Sequence, residues 1–282
     1  MWTIRVTFML KLMYITNQPN IAKIVQNAGV DRIFIDMEYI GKTDRQGGMD
    51  TVQNHHTVDD VKAVRAVLDK SDLLVRVNPI HEDSKAEIDE VVSAGADLIM
   101  LPMWKTADEV KRFLECVDGR VKTVLLLENK EAIDCLDDVL AIDGIDEIHI
   151  GLNDLHLSLG LDFIFEPLAN SVVESITEKI KNAGVPFGFG GFGRIGEGLL
   201  PAEYIVSEHY RLGSSMAILS RTFCDLKKIT DENEVFNTFD SGVKKLREYE
   251  EFLSHCEKDF FDDTHQKLCD CVKMIIEENR NV

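Results

Sequence analysis

Asp36, Glu38, Arg76, Glu128, Asp154 and Arg221 each close a short apolar run, in VDRIFIDME, LLVRV, VLLLE, IHIGLND and AILSR. A carboxylate that emerges from a buried segment is costly to ionise unless it is paired, hydrogen-bonded or bound to a metal. Glu128 ends the most apolar of these runs. It either caps the next helix or salt-bridges to Lys130, two residues on, or it is a ligand for a hard divalent cation shared with Asp154. Mg²⁺ and Mn²⁺ favour oxygen donors, and two protein carboxylates leave coordination positions for water or substrate. Asp154 alone carries less, because Asn-Asp after a glycine is also good turn chemistry. Arg76 interrupts a buried run. It either pairs with an acid such as Asp36 or Glu128, or holds its charge ready for a developing oxyanion.

The elements that must position these groups alternate along the chain. Apolar runs at 8–15, 30–37, 73–77, 96–102, 121–128, 148–150, 185–191 and 215–220 read as eight strands. Helical patterns accompany them at about 21–27, 58–68, 84–94, after Thr106, to 140, at 172–182 and at 201–209. Near-continuous apolar runs mark parallel strands covered on both faces. Eight of them, interleaved with helices, predict an α/β fold, a (β/α)₈ TIM barrel, over residues 1–226. Residues 227–282 are charged and helical, with FFDD and VKMII as apolar islands. They predict a C-terminal helical extension packed on the barrel or on a partner subunit. In such a barrel the chemistry collects at the carboxyl ends of the strands, which adds Asn78, Pro102, Asn153, the glycines of 188–193 and Ser220 to the rim.

Composition excludes several classes of function. Fifty acidic against 31 basic residues give a net charge of -19, which argues against a nucleic-acid partner. The six cysteines lack paired CxxC spacing, and no HExxH occurs, so the histidines offer no zinc motif. Scattered thiols in a chain of 282 residues fit a reducing cytoplasmic compartment. The apolar start, MWTIRVTFMLKLMYI, is broken by Arg5 and Lys11 and falls short of the roughly 20 residues of a membrane span. The stretch from Gly191 to Gly196 matches GxGxxG, but it lies on a late strand and lacks the acidic residue that a dinucleotide site needs downstream. Those glycines are better read as close backbone approach to a ligand, or as the crowding of a barrel rim. His149 alternates with Ile148 and Ile150 as a core histidine, while His55 and His56, in the loop after the second strand, can reach the mouth.

Taken in order, Ile35-Asp-Met-Glu38, Arg76, GADLIMLP at 95–102, LLLE ending at Glu128 and GLNDL at 151–155 resemble the HpcH/HpaI aldolase and citrate lyase family. That family lies within the phosphoenolpyruvate/pyruvate-binding barrels, and the resemblance covers roughly residues 8–224. It implies a metal-dependent, class II aldolase that joins or splits a 2-oxo acid such as pyruvate and an aldehyde. By that resemblance Glu128 and Asp154 are the ligands of Mg²⁺, or of Mn²⁺ or Co²⁺, and Arg76 stabilises the enolate. Gly151, Leu152, Asn153 and Asp154 meet the substrate carboxylate, with Pro102 beside them. Homo-oligomers are usual in the family. Small-substrate members read Asp-x-Glu-His after the second strand, whereas this chain has Tyr39 at the histidine position. The acid/base role therefore passes to Tyr39, His55 or His56, with the two histidines preferred. Two alternatives remain: a lyase of CoA thioesters or another enzyme of phosphoenolpyruvate, and a barrel that has lost its base and only binds.

Overall fold

The computed structural model describes residues 9–41 and 56–280. The strands β1 (Lys11–Ile15), β2 (Arg32–Asp36), β3 (Asp72–Arg76), β4 (Leu98–Leu101), β5 (Lys122–Leu127), β6 (Glu147–Ile150), β7 (Phe187–Phe192) and β8 (Met216–Leu219) close into a barrel in sequence order. The pairs from β1 to β5 and from β7 to β8 are parallel. The predicted (β/α)₈ barrel is therefore observed. All residues of β2, β4 and β6 are buried, which explains the continuous apolar runs of Leu98–Leu101 in β4 and of Ile33, Phe34 and Ile35 in β2.

The chain divides into two compact units, one over residues 13–149 and the other joining the residues up to 12 with those from 150 onward. In the first unit the helices are α1 (Pro19–Asn27), α2 (Val58–Arg65), α3 (Ser84–Ser93), α4 (Ala107–Val117), α5 (Lys130–Asp134) and α6 (Leu136–Leu140). Local chemistry fixes where they begin. Thr57 and Asp60 form a capping box at α2, and Thr106 and Glu109 form another at α4. The side chain of Asn129 accepts from Ala132 N at the start of α5. Val110, Phe113 and Val117 recur at helical spacing on α4 and are fully buried. The single helix expected up to residue 140 is broken at Cys135, whose φ of -103° and ψ of 9° separate α5 from α6. The register of β2 on β3 matters most for the chemistry, because it sets Asp36, the last residue of β2, against Arg76, the last residue of β3.

In the second unit the helices are α7 (Leu152–Ser158), α8 (Glu166–Ala169), α9 (Val172–Asn182), α10 (Ala202–Leu212), α11 (Glu232–Ser254) and α12 (Lys258–Arg280). Glycine is required on β7. A Cβ on Gly188 would meet Met216 O and Met216 Cγ at 2.3 Å, and the β7–β8 register shifts between Gly188 and Gly191. Gly190, at φ +46°, leaves only 2.6 Å between such a Cβ and Leu152 Cδ1. The GFGG run is thus explained by crowding. α11 reaches back to the start of the barrel: Glu250 Oε1 accepts from Leu10 N at 2.7 Å, and Arg247 Nη1 donates to Leu10 O at 2.9 Å. α12 docks through buried Phe261, Leu268, Val272 and Ile275, and His265 Nδ1 lies 3.1 Å from Glu208 Oε1 on α10. No described helix is long and apolar enough to cross a membrane.

Candidate active site

The carboxyl ends of β2, β3 and β5 bring together Asp36, Glu38, Arg76 and Glu128, all in the unit of residues 13–149. Arg76 Nε donates to Asp36 Oδ1 at 2.8 Å, and Arg76 Nη2 lies 3.4 Å from Glu38 Oε2. The carboxylates of Asp36 and Glu38 are nearly inaccessible to solvent, and that of Glu128 equally so. Burial works against the Arg76 charge. The fields of Asp36 and Glu38, with a smaller one from Glu128, outweigh it and raise the guanidinium pKa above its ordinary value. The guanidinium also lies 5.6 Å from the centroid of the Phe34 ring. Of the two sequence readings of Arg76, the pairing with Asp36 is present.

Glu128 does not cap the next helix, because Asn129 does. Its Oε1 instead accepts from Met103 N at 3.1 Å. Met103 adopts a left-handed backbone with φ 52°, uncommon outside glycine, directly after buried Pro102. That turn aims its amide at the Glu128 carboxylate. Lys130, the other partner considered for Glu128, lies 2.5 Å from Asp134.

Two side-chain acceptors hold the chain around the end of β2. Asn78 Oδ1 accepts from both Tyr39 N and Ile40 N at 3.0 Å, and Asn78 Nδ2 donates to Glu87 Oε1 at 2.7 Å. Burial pushes the Glu87 carboxyl above its ordinary value, against the bonds from Asn78 and the nearby His81. His56 Nδ1 accepts from Asp36 N at 3.0 Å. The Tyr39 side chain itself is 63% exposed. His55 lies outside the described residues. Sequence placed Asn78 on the rim, but its pairing with Glu87 was not assigned. Its only signal is an asparagine set directly before Pro79, where the apolar run of β3 stops.

In the other unit, Gly151 is the N-cap position of α7, and Leu152, Asn153 and Asp154 form its first turn. Leu152 is buried, whereas Asn153 and Asp154 are partly accessible. The segment that reads from sequence as a turn is thus a short helix. A carboxylate there is favoured by the helix dipole, whatever else it does. Among the described residues, no group of three or more His, Cys, Asp or Glu side chains is arranged to hold a metal ion.

Residues 11–192, more than half of the chain, match the model of the family described as HpcH/HpaI aldolase/citrate lyase. The chain belongs to this family. A 2-keto-3-deoxy-L-rhamnonate aldolase of Escherichia coli is 28% identical over 144 residues, which cover 40% of this chain and 54% of that protein. The chain thus spans about half the length of the curated relatives it matches. The HpcH/HpaI aldolase/citrate lyase family protein of Burkholderia cenocepacia has a similar solved structure, with a TM-score of 0.58 at 18% identity, covering 84% of this chain and 94% of that one. The crystal structure of the citrate synthase SbnG gives a TM-score of 0.56 at 17% identity, covering 85% and 94%. These two structural likenesses establish the barrel fold alone.

Proposed function

We propose that this HpcH/HpaI family member is a divalent-metal-dependent carbon–carbon lyase of the aldolase type, acting on a small 2-oxo acid and an aldehyde. The observation that carries the reading is the clustering of buried carboxylates around Arg76. Three carboxylates, Asp36, Glu38 and Glu128, all nearly inaccessible to solvent, cluster about one guanidinium at the carboxyl ends of the strands. Buried carboxylates gathered at one place favour cationic partners, and an all-oxygen donor set suits a hard cation. The donors therefore fit Mg²⁺, Mn²⁺ or Co²⁺, with Glu128 as one ligand. Asp154, which lies after β6, the next strand in barrel order, is the other. When bound, such an ion supplies Lewis acidity to the 2-oxo acid and lowers the cost of taking a proton from its methyl group.

The rest of the chemistry falls to residues of the chain. Asp36 and Glu38 keep Arg76 charged and oriented, so that its remaining donors can meet the enolate oxygen without reorganisation. Gly151 to Asp154 and Pro102 line the substrate carboxylate in this reading. A proton must move at the aldol oxygen, and Tyr39, His55 and His56, all on the segment after β2, are the candidates that the sequence offers for it.

Exchange of pyruvate methyl protons with deuterium, monitored by NMR with Mg²⁺, Mn²⁺ or Co²⁺ present, tests the proposal. Metal-dependent exchange that disappears in Glu128→Ala and Asp154→Ala, with folding intact, supports it. Absence of exchange with all three metals overturns it. Exchange without aldol cleavage points to a barrel that forms the enolate but lacks its acid/base.

A further inference from the structure

We propose that His56 serves this site as a neutral imidazole, an acceptor at Nδ1 that positions Asp36 and through it Arg76, and not as the proton-abstracting base. The positioning role rests on the lyase reading above, whereas the tautomer stands without it.

The need for that acceptor arises at the end of β1. Thr16 N donates to Phe34 O at 3.2 Å, close to where β1 stops pairing with β2. On its other side β2 continues, for Met37 N donates to Arg76 O at 2.9 Å. Asp36 N therefore faces the side on which β1 has ended, in a residue that is almost wholly buried. A buried main-chain N–H without an acceptor is costly. His56 Nδ1 supplies that acceptor at 3.0 Å.

This contact fixes the protonation of the ring. A main-chain amide can only donate, so Nδ1 must present its lone pair, and the proton of the neutral ring sits on Nε2. Protonating Nδ1 as well would set one N–H against another and lose the bond. Hydrogen bonding to the neutral form disfavours the charged one. An imidazole held in this way is a poor acceptor of a substrate proton, since Nε2 already carries one and the only lone pair, at Nδ1, is taken by the Asp36 amide.

The ring is also carried on a firm base. His56 immediately precedes Thr57, the N-cap of α2, whose capping box with Asp60 is complete. Asp60 Oδ1 further accepts from Asn17 Nδ2 at 3.2 Å, tying the cap of α2 to the segment after β1. The histidine is thus placed by helix α2. The main chain of Asp36 is gripped at its amide by His56, while its carboxylate grips Arg76 and accepts from Glu38 N at 3.3 Å.

The test uses the full chain labelled with ¹⁵N-histidine, with His56 assigned by the signal lost in His56→Asn. At neutral pH the long-range ¹H–¹⁵N pattern is expected to show Nδ1 unprotonated and Nε2 carrying the proton. A proton on Nδ1, alone or with Nε2, overturns the proposal. Activity then separates positioning from ring chemistry. His56→Ala is expected to slow pyruvate methyl exchange by about 10- to 100-fold. His56→Asn, whose Oδ1 can accept where Nδ1 did, is expected to recover most of that loss. If Asn falls as far as Ala, the ring itself takes the proton and the positioning role is wrong. If the wild-type chain shows no exchange, the lyase reading fails while the NMR pattern still decides the tautomer.

Discussion

Arg32 opens β2 and Arg76 closes β3, and the two buried guanidiniums live in opposite surroundings. Arg32 forks onto Glu147, the first residue of β6, with both contacts at 2.5 to 2.6 Å and both side chains almost inaccessible. The fork lies at the amino ends of the strands, where the half-exposed carboxylate of Asp72, the first residue of β3, also lies 3.9 Å from Arg32 Nε. Arg76, at the carboxyl ends, is shared among Asp36, Glu38 and the field of Glu128. Arg32 is committed to a two-pronged pair, whereas Arg76 is held among several buried carboxylates. The same residue type therefore reads as structure at one end of the strands and as chemistry at the other, in keeping with how barrels divide stability from catalysis.

The contrast breaks most visibly at Arg32. Glu147→Gln leaves that buried guanidinium with only the more distant, half-exposed Asp72 carboxylate, and urea unfolding is expected to lose about 3–5 kcal/mol. The double variant Arg32→Met with Glu147→Leu is expected to recover most of it. A loss below about 1 kcal/mol for the single change would mean the pair is not the closed unit its geometry indicates. At Arg76 the loss should appear in rate: Arg76→Met is expected to slow methyl exchange by about 10²- to 10³-fold, roughly 3–4 kcal/mol of transition-state stabilisation. An unchanged rate would assign the enolate charge elsewhere.

Metal linkage gives the third and sharper contrast. Mn²⁺ at about 100 times its Kd should stabilise the wild-type chain by about 2.7 kcal/mol in thermal melts. Glu147→Gln should keep that gain and Glu128→Gln should lose it. The smallest effect is expected at Glu87, whose pKa is raised by burial. Its contribution to stability is present below the unfolded value and fades as pH rises through the folded one. Glu87→Gln keeps an acceptor for Asn78 and removes that slope. It should match the wild type under mildly acidic conditions and melt slightly higher at neutral pH. A variant that melts lower at neutral pH would show the carboxylate charge to be needed there.

Much of this was legible in residue order. Continuous apolar runs announced the parallel strands, and the polar residues that end them named Asp36, Arg76, Glu128 and Asp154. Thr106 marked a helix start because capping is local. The pair of Arg32 and Glu147 was not legible. Its partners lie 115 residues apart, and nothing near either one indicates the other. The role of Asn129 as a cap was hidden by its neighbour Glu128, the more conspicuous residue. His56 was legible as a histidine near the mouth, but its acceptor role depends on where β1 stops pairing, which hydropathy does not encode. The break at Cys135 was missed because residues on both sides keep helical spacing.

The grip of α11 on Leu10 concerns how the chain reaches its fold. Leu10 directly precedes β1, yet its amide and its carbonyl are bonded by Glu250 and Arg247, more than 230 residues later. While the chain is being synthesised, the first strand emerges early and must wait for one of the last helices before its own edge is satisfied. A ribosome-stalled chain ending ahead of α11 is therefore expected to leave that edge accessible to chaperones. Release of the completed helix would then be the step that seals it.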